Sequence, residues 1–78
     1  TICKSYPNPA KDVLYFEIPE EGKSKIEISD LAGKQVMNKT ILLEKGNNGI
    51  NISRLQSGIY LLQISSINGT YVTKFIKE

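Results

Sequence analysis

Four acidic residues, Asp12, Glu20, Glu21 and Asp30, are the side chains of this 78-residue chain best placed to act as acid–base groups or to hold a cation. Each lies in or beside a stretch of turn-forming residues. There an aspartate caps backbone N–H groups and a glutamate is simply solvated. The sequence has no histidine. Most zinc sites and most proton-relay triads need one, and none is present to activate any of the serines. Gly46-Asn47-Asn48-Gly49 has the glycine content of a phosphate-cradling loop, but no helix pattern follows it to supply the N-terminus that binds the anion. The residue types therefore point to no catalytic group, no metal site and no cofactor.

Other reactive features are equally spare. Cys3 is the one cysteine, so it cannot close an internal disulfide. It reads as a small buried hydrophobe or as a thiol available to an upstream domain. Asn38, Asn51 and Asn68 each begin an N-x-Ser/Thr triplet. A chain rich in these residues produces such triplets by chance, and they matter only in a eukaryotic secretory context.

Length and charge narrow the classes further. Seventy-eight residues make one domain, with a total stability on the order of 4–12 kcal/mol. The ten basic residues are scattered and the net charge is +2, which does not make the basic stripe of a nucleic-acid binder. No apolar run approaches the roughly 18 residues that span a bilayer as a helix, so no direct membrane insertion is expected. The chain starts at Thr1 without an apolar leader and reads as a piece of a longer protein.

The elements that must organise these residues are strands. Apolar residues recur at every second position, and turn signals recur roughly every ten residues, the pattern of an all-β sandwich. Residues 1–5 are a linker or a first strand. Pro7 and Pro9 make Ser5 to Asp12 an irregular entry. The first clear strand is Val13 to Ile18, with Leu14, Phe16 and Ile18 on one face. After a turn at Pro19 to Lys23, Ser24 to Ser29 places Ile26 and Ile28 inward. Asp30-Leu31-Ala32-Gly33 is the next turn. A third strand starts near Lys34, includes Val36, and continues after a break through Thr40 to Leu43. Gly46 to Gly49 is expected to turn, before a short strand carrying Ile50 and Ile52 and a loop that tucks Leu55 under the sandwich. Ile59 to Ile67 and Thr70 to Lys77 flank Asn68-Gly69, a preferred type I′ pair. That turn sets Leu62 against Phe75, Ile64 against Thr73, Ser66 against Tyr71 and Leu61 against Ile76.

The turn segments occur in a distinctive order. Tyr6-Pro7-Asn8-Pro9-Ala10 with Asp12 resembles the YPNPxxD opening of the C-terminal sorting domains of the type IX (Por) secretion system of Bacteroidetes. Asp30-Leu31-Ala32-Gly33-Lys34-Gln35-Val36 resembles their D-x-x-G-[KR]-x-V segment. Leu55-Gln56-Ser57-Gly58-Ile59-Tyr60 resembles their L-x-x-G-[IVL]-Y segment. Lys74-Phe75-Ile76-Lys77 resembles their basic, apolar, basic ending, with Glu78 where many members carry lysine. The likeness runs from Tyr6 to Glu78.

This resemblance implies an all-β, immunoglobulin-like antiparallel sandwich of about seven strands, with residues 1–78 a single sorting domain preceded by a cargo. It implies a signal rather than an enzyme. In the family an outer-membrane β-barrel shuttle engages the domain and a sortase-like cysteine peptidase removes it, after passage through the periplasm to the cell surface or beyond. Structural turn roles are expected for Pro7, Asn8, Pro9, Asp12, Asp30, Gly33, Lys34, Gly58 and Tyr60. Recognition by the machinery is expected of Lys74, Phe75, Ile76, Lys77 and Glu78. Three positions separate Lys74 from Lys77, so they project to opposite faces of a strand. A receptor reading both must either wrap the edge or take the segment partly out of the sheet, which implies a recognition element held only moderately tightly. Two other classes fit the residues: an accessory module for carbohydrate or adhesion, and a structural spacer or dimerisation domain. Against the carbohydrate reading, there is no tryptophan and the tyrosines and phenylalanines mostly fall at inward positions.

Overall fold

The computed structural model describes residues 4–78; Cys3 lies outside them. Seven strands follow in order: β1 (Ser5–Tyr6), β2 (Val13–Ile18), β3 (Gly22–Asp30), β4 (Gln35–Leu43), β5 (Gly46–Asn51), β6 (Gly58–Ser66) and β7 (Gly69–Lys77). They form a three-stranded sheet, β1-β2-β5, and a four-stranded sheet, β4-β3-β6-β7. All strand pairs are antiparallel. The expected seven-stranded sandwich is the architecture found.

Period-2 burial makes it. Leu14, Phe16 and Ile18 of β2, Ile26 and Ile28 of β3, and Tyr60, Leu62 and Ile64 of β6 point into one core with Phe75 of β7. Their sequence neighbours point to water. Burying such side chains contributes roughly 1.5–3 kcal/mol each, the main term holding so small a fold together.

Three local expectations are corrected. Gly46 to Gly49 is not a turn but the first part of β5, paired with β2 from Gly46 opposite Ile18 to Gly49 opposite Tyr15. The bend falls earlier, at Glu44-Lys45. Asn48 closes it with its side chain, accepting from the Glu44 N–H at 3.0 Å and donating to the Glu44 carbonyl at 2.8 Å. The partner strand overrides the turn preference of these residues. Second, β4 runs without the expected break. Asn38, Lys39 and Thr40 are polar because β4 is the sheet edge, and Met37 and Ile41 still pack against the core.

Third, the final hairpin turns at Ile67-Asn68, one residue early. The observed opposites are Tyr60 with Phe75, Leu62 with Thr73, Ile64 with Tyr71 and Ile59 with Ile76. Among the described residues none other than glycine has positive φ, so Ile67-Asn68 is not a type I′ pair. The left-handed backbone falls on Gly69 instead, at φ 143°. A slip of two residues across the ladder leaves every side chain on its predicted face.

Candidate functional site

The four motif segments converge on one end of the sandwich. β2 and β6 begin there; β3, β5 and β7 finish there. The chain enters from the other end, where the Glu17 N–H makes a long 3.4 Å contact to the Lys4 carbonyl. The molecule measures 30 Å along its longest axis.

The first motif forms a clamp on the last strand. Ala10, fully buried, makes a parallel bridge to Lys77. Its N–H donates to the Ile76 carbonyl and its carbonyl accepts from the Glu78 N–H, both at 2.7 Å. Asn8 Oδ1 accepts from the Ile76 N–H at 2.9 Å. Pro7 and Pro9 are exposed and bring no N–H to the clamp. Asp12 acts here through its main chain, its carbonyl accepting from the Ile52 N–H at 2.8 Å. The edge of the tail is therefore closed at residues 76–78, so that wrapping the edge there, one of the two expected ways of reading both lysines, requires the clamp to open. Asn8→Ala is expected to cost about 1 kcal/mol by removing an acceptor from an edge N–H. Faster hydrogen exchange at the Ile76 amide would register it, and an unchanged rate would contradict it.

The second motif is a self-contained turn. Asp30 Oδ1 accepts from the N–H groups of Ala32 (3.0 Å) and Lys34 (2.9 Å). The Gly33 N–H returns to the Asp30 carbonyl at 3.0 Å. Gly33 sits at φ 89°, where a side chain strains the backbone. Gly33→Ala should destabilise by about 1 kcal/mol or more. At Gly58, with φ 158° at the margin of extended backbone, the same change should cost less. Thermal unfolding midpoints order the two, and no loss at Gly33 would refute the assignment.

Tyr60 joins the third motif to the others. Its backbone pairs with Asp30 on one side and Phe75 on the other. Its ring stacks on Phe75 with centroids 5.6 Å apart, and its hydroxyl donates to the Gln56 carbonyl at 2.6 Å. A shallow groove of about 310 Å³ lies beside it, flanked by Lys34 and Arg54. A depression of about 410 Å³ lies at the opposite end, lined by Glu17 and Lys45, so size does not single out the functional end.

The five tail residues divide by face. Phe75 is fully buried and Lys77 is 8% exposed, its Nζ donating to the main-chain oxygen of Glu78 at 3.0 Å. Lys74, Ile76 and Glu78 are exposed. The two lysines do point oppositely, and only the first is presented to solvent. On the outer face Ile76 stands opposite Ile59, and Leu61 opposite Lys74. Ile59, Leu61 and Ile76 are 40%, 39% and 44% exposed. The sequence pattern already sets Leu61, Ile76 and Lys74 on the wetter face of the hairpin; it leaves Ile59 unmarked there, although the one-sided alternation of β6 was the available signal.

The acidic residues do not assemble. Among the described residues no group of three or more Asp, Glu, Cys or His side chains is placed to hold a metal ion.

The family model described as "Secretion system C-terminal sorting domain" matches residues 4–78. No curated protein sequence matches significantly. Among solved structures, a DUF3244 family protein of Bacteroides vulgatus with an immunoglobulin-like β-sandwich is similar, at 20% identity and a TM-score of 0.69. The match covers 97% of this chain and 94% of that one, and it establishes the likeness of fold.

Proposed function

The chain belongs to the C-terminal sorting domains of the type IX secretion system, and on that premise we propose that it is an export address read from the outer face of its closed last strand. The observation that carries this reading is the arrangement of the motif end. Asn8 and Ala10 occupy the edge of the tail, Phe75 anchors it, and Lys74 and Ile76 are left facing outward beside Ile59 and Leu61. A preceding cargo joins at the entry end, so the motif end projects away from it whatever the cargo is.

An address of this kind needs a self-sufficient fold and a surface independent of its passenger. The sandwich supplies the first. The outer face of β6 and β7 supplies the second, three apolar side chains beside one cation, suited to a partner with an apolar patch and a carboxylate. The outer-membrane shuttle barrel is the partner in this reading. The sortase-like peptidase then cuts at or before the entry segment, releasing cargo to the cell surface or beyond. The domain itself performs no catalysis.

The test is a fusion of the 78-residue chain to the C-terminus of a periplasmic reporter in a bacterium with this secretion system. Surface-exposed reporter, shorter by the mass of the domain, and retention in a strain lacking the system, are the expected results. Periplasmic reporter in both strains would overturn the address. Surface reporter of full mass would overturn the cleavage.

A further inference from the structure

The outer face of the three-stranded sheet carries a second feature, apart from the face proposed as the address. Tyr15 falls on the face of β2 opposite to Leu14, Phe16 and Ile18, and with Tyr6 of the entry segment it is among the exposed aromatics, at 39% and 44%. They are cross-strand neighbours and stack with centroids 5.7 Å apart and planes inclined by 25°. The Tyr6 hydroxyl donates to Asn47 Oδ1 at 2.6 Å, reaching across β2 to β5 and fixing both groups. Opposite Tyr15 stands Gly49. A Cβ there would lie 3.0 and 3.1 Å from the Tyr15 ring carbons Cε1 and Cδ1, and 3.2 Å from Val13 Cγ1. The glycine lets the ring lie down across the sheet. The result is a pair of exposed rings with the Asn47 carboxamide bonded at one edge, while Asn51, two residues beyond Gly49, turns its side-chain carbonyl oxygen to Ser53.

Anchoring the two-residue strand β1 explains the Tyr6–Asn47 bond. It does not require Tyr15 to keep a ring exposed over a residue with no side chain. We propose that this face binds an uncharged pyranose polysaccharide. Exposed aromatic faces accept the C–H face of a sugar ring, and side-chain amides both donate to and accept from its hydroxyls. Glu17, opposite Asn47 on β5, and Lys4, whose carbonyl meets the Glu17 N–H, are charges of opposite sign beside this face. An anionic or cationic glycan finds no matching field there.

The test is a titration of the 15N-labelled 78-residue chain with hexasaccharides of β-1,4-glucose, β-1,3-glucose, α-1,4-glucose and mannose. Saturable amide shifts confined to Tyr6, Val13, Tyr15 and Asn47 to Asn51 are expected with at least one of them. Tyr15→Ala should weaken that binding roughly tenfold, about 1.4 kcal/mol. The wild-type shift map needs no variant, so it decides the matter even if Tyr15→Ala fails to fold. Absence of saturable shifts with all four sugars, shifts centred elsewhere, or undiminished binding by folded Tyr15→Ala would each overturn the proposal. None of these results depends on export.

Discussion

Lys74→Glu combined with Ile76→Glu is expected to leave cargo in the periplasm while the sandwich stays folded. Both side chains are exposed on the outer face of β7, Ile76 opposite Ile59 and Lys74 opposite Leu61. The core beneath is untouched, because Phe75 and Lys77 carry the inward positions. Cross-strand pairs of this kind contribute roughly 0.2–1 kcal/mol each, so the unfolding free energy should fall by no more than about 2 kcal/mol. Recognition should suffer far more. Two carboxylates would replace an apolar contact and a cation on a face argued to meet a partner of opposite character. Surface delivery should drop at least tenfold, measured by protease accessibility of the cargo on intact cells. Delivery at the wild-type level by a correctly folded double variant would refute the face as the address.

Phe75→Ala is expected to abolish delivery by a different route. The ring is fully buried and stacked on Tyr60, whose backbone and hydroxyl tie Asp30 and Gln56 to the same end. Truncating a buried phenylalanine costs about 3–5 kcal/mol. Set against a total on the order of 4–12 kcal/mol for a chain of this length, that is enough to leave much of the domain unfolded. Phe75→Leu, which keeps most of the volume, should cost less and restore part of the delivery. Circular dichroism melts of the purified chain separate this effect from the surface one. A Phe75→Ala midpoint equal to wild type would contradict the packing described for the motif end.

The strand faces were legible because burial follows alternation, and alternation is written in the residue types. Val13 to Ile18 and Ile59 to Ser66 needed nothing more. The hairpin register was not legible, since Asn68-Gly69 signals a turn without saying which two residues form its tip. β5 was hidden for a related reason: Gly46, Asn47, Asn48 and Gly49 favour turns locally, and only pairing with β2 makes them a strand. The inward and outward division of Lys74 and Lys77 followed from period 2 alone. The clamp did not. Nothing in Asn8-Pro9-Ala10 names Ile76 as its partner, 68 residues away from Asn8. Long-range backbone hydrogen bonds leave no pattern in one sequence, and the closed state of the tail had to come from the fold.

The central claim, that the last strand is read while closed, has a direct test in a covalent lock. Ala10 and Lys77 are bridge partners across the clamp. In a Cys3→Ser background, Ala10→Cys with Lys77→Cys can join the first motif to the tail in the oxidising periplasm. Protease accessibility of the cargo on intact cells is the measurement. Delivery of the disulfide-locked domain at the level of the two single-cysteine controls is the predicted result. Retention of the locked domain in the periplasm, with both controls delivered, would show that the tail must leave the sheet and would contradict the account.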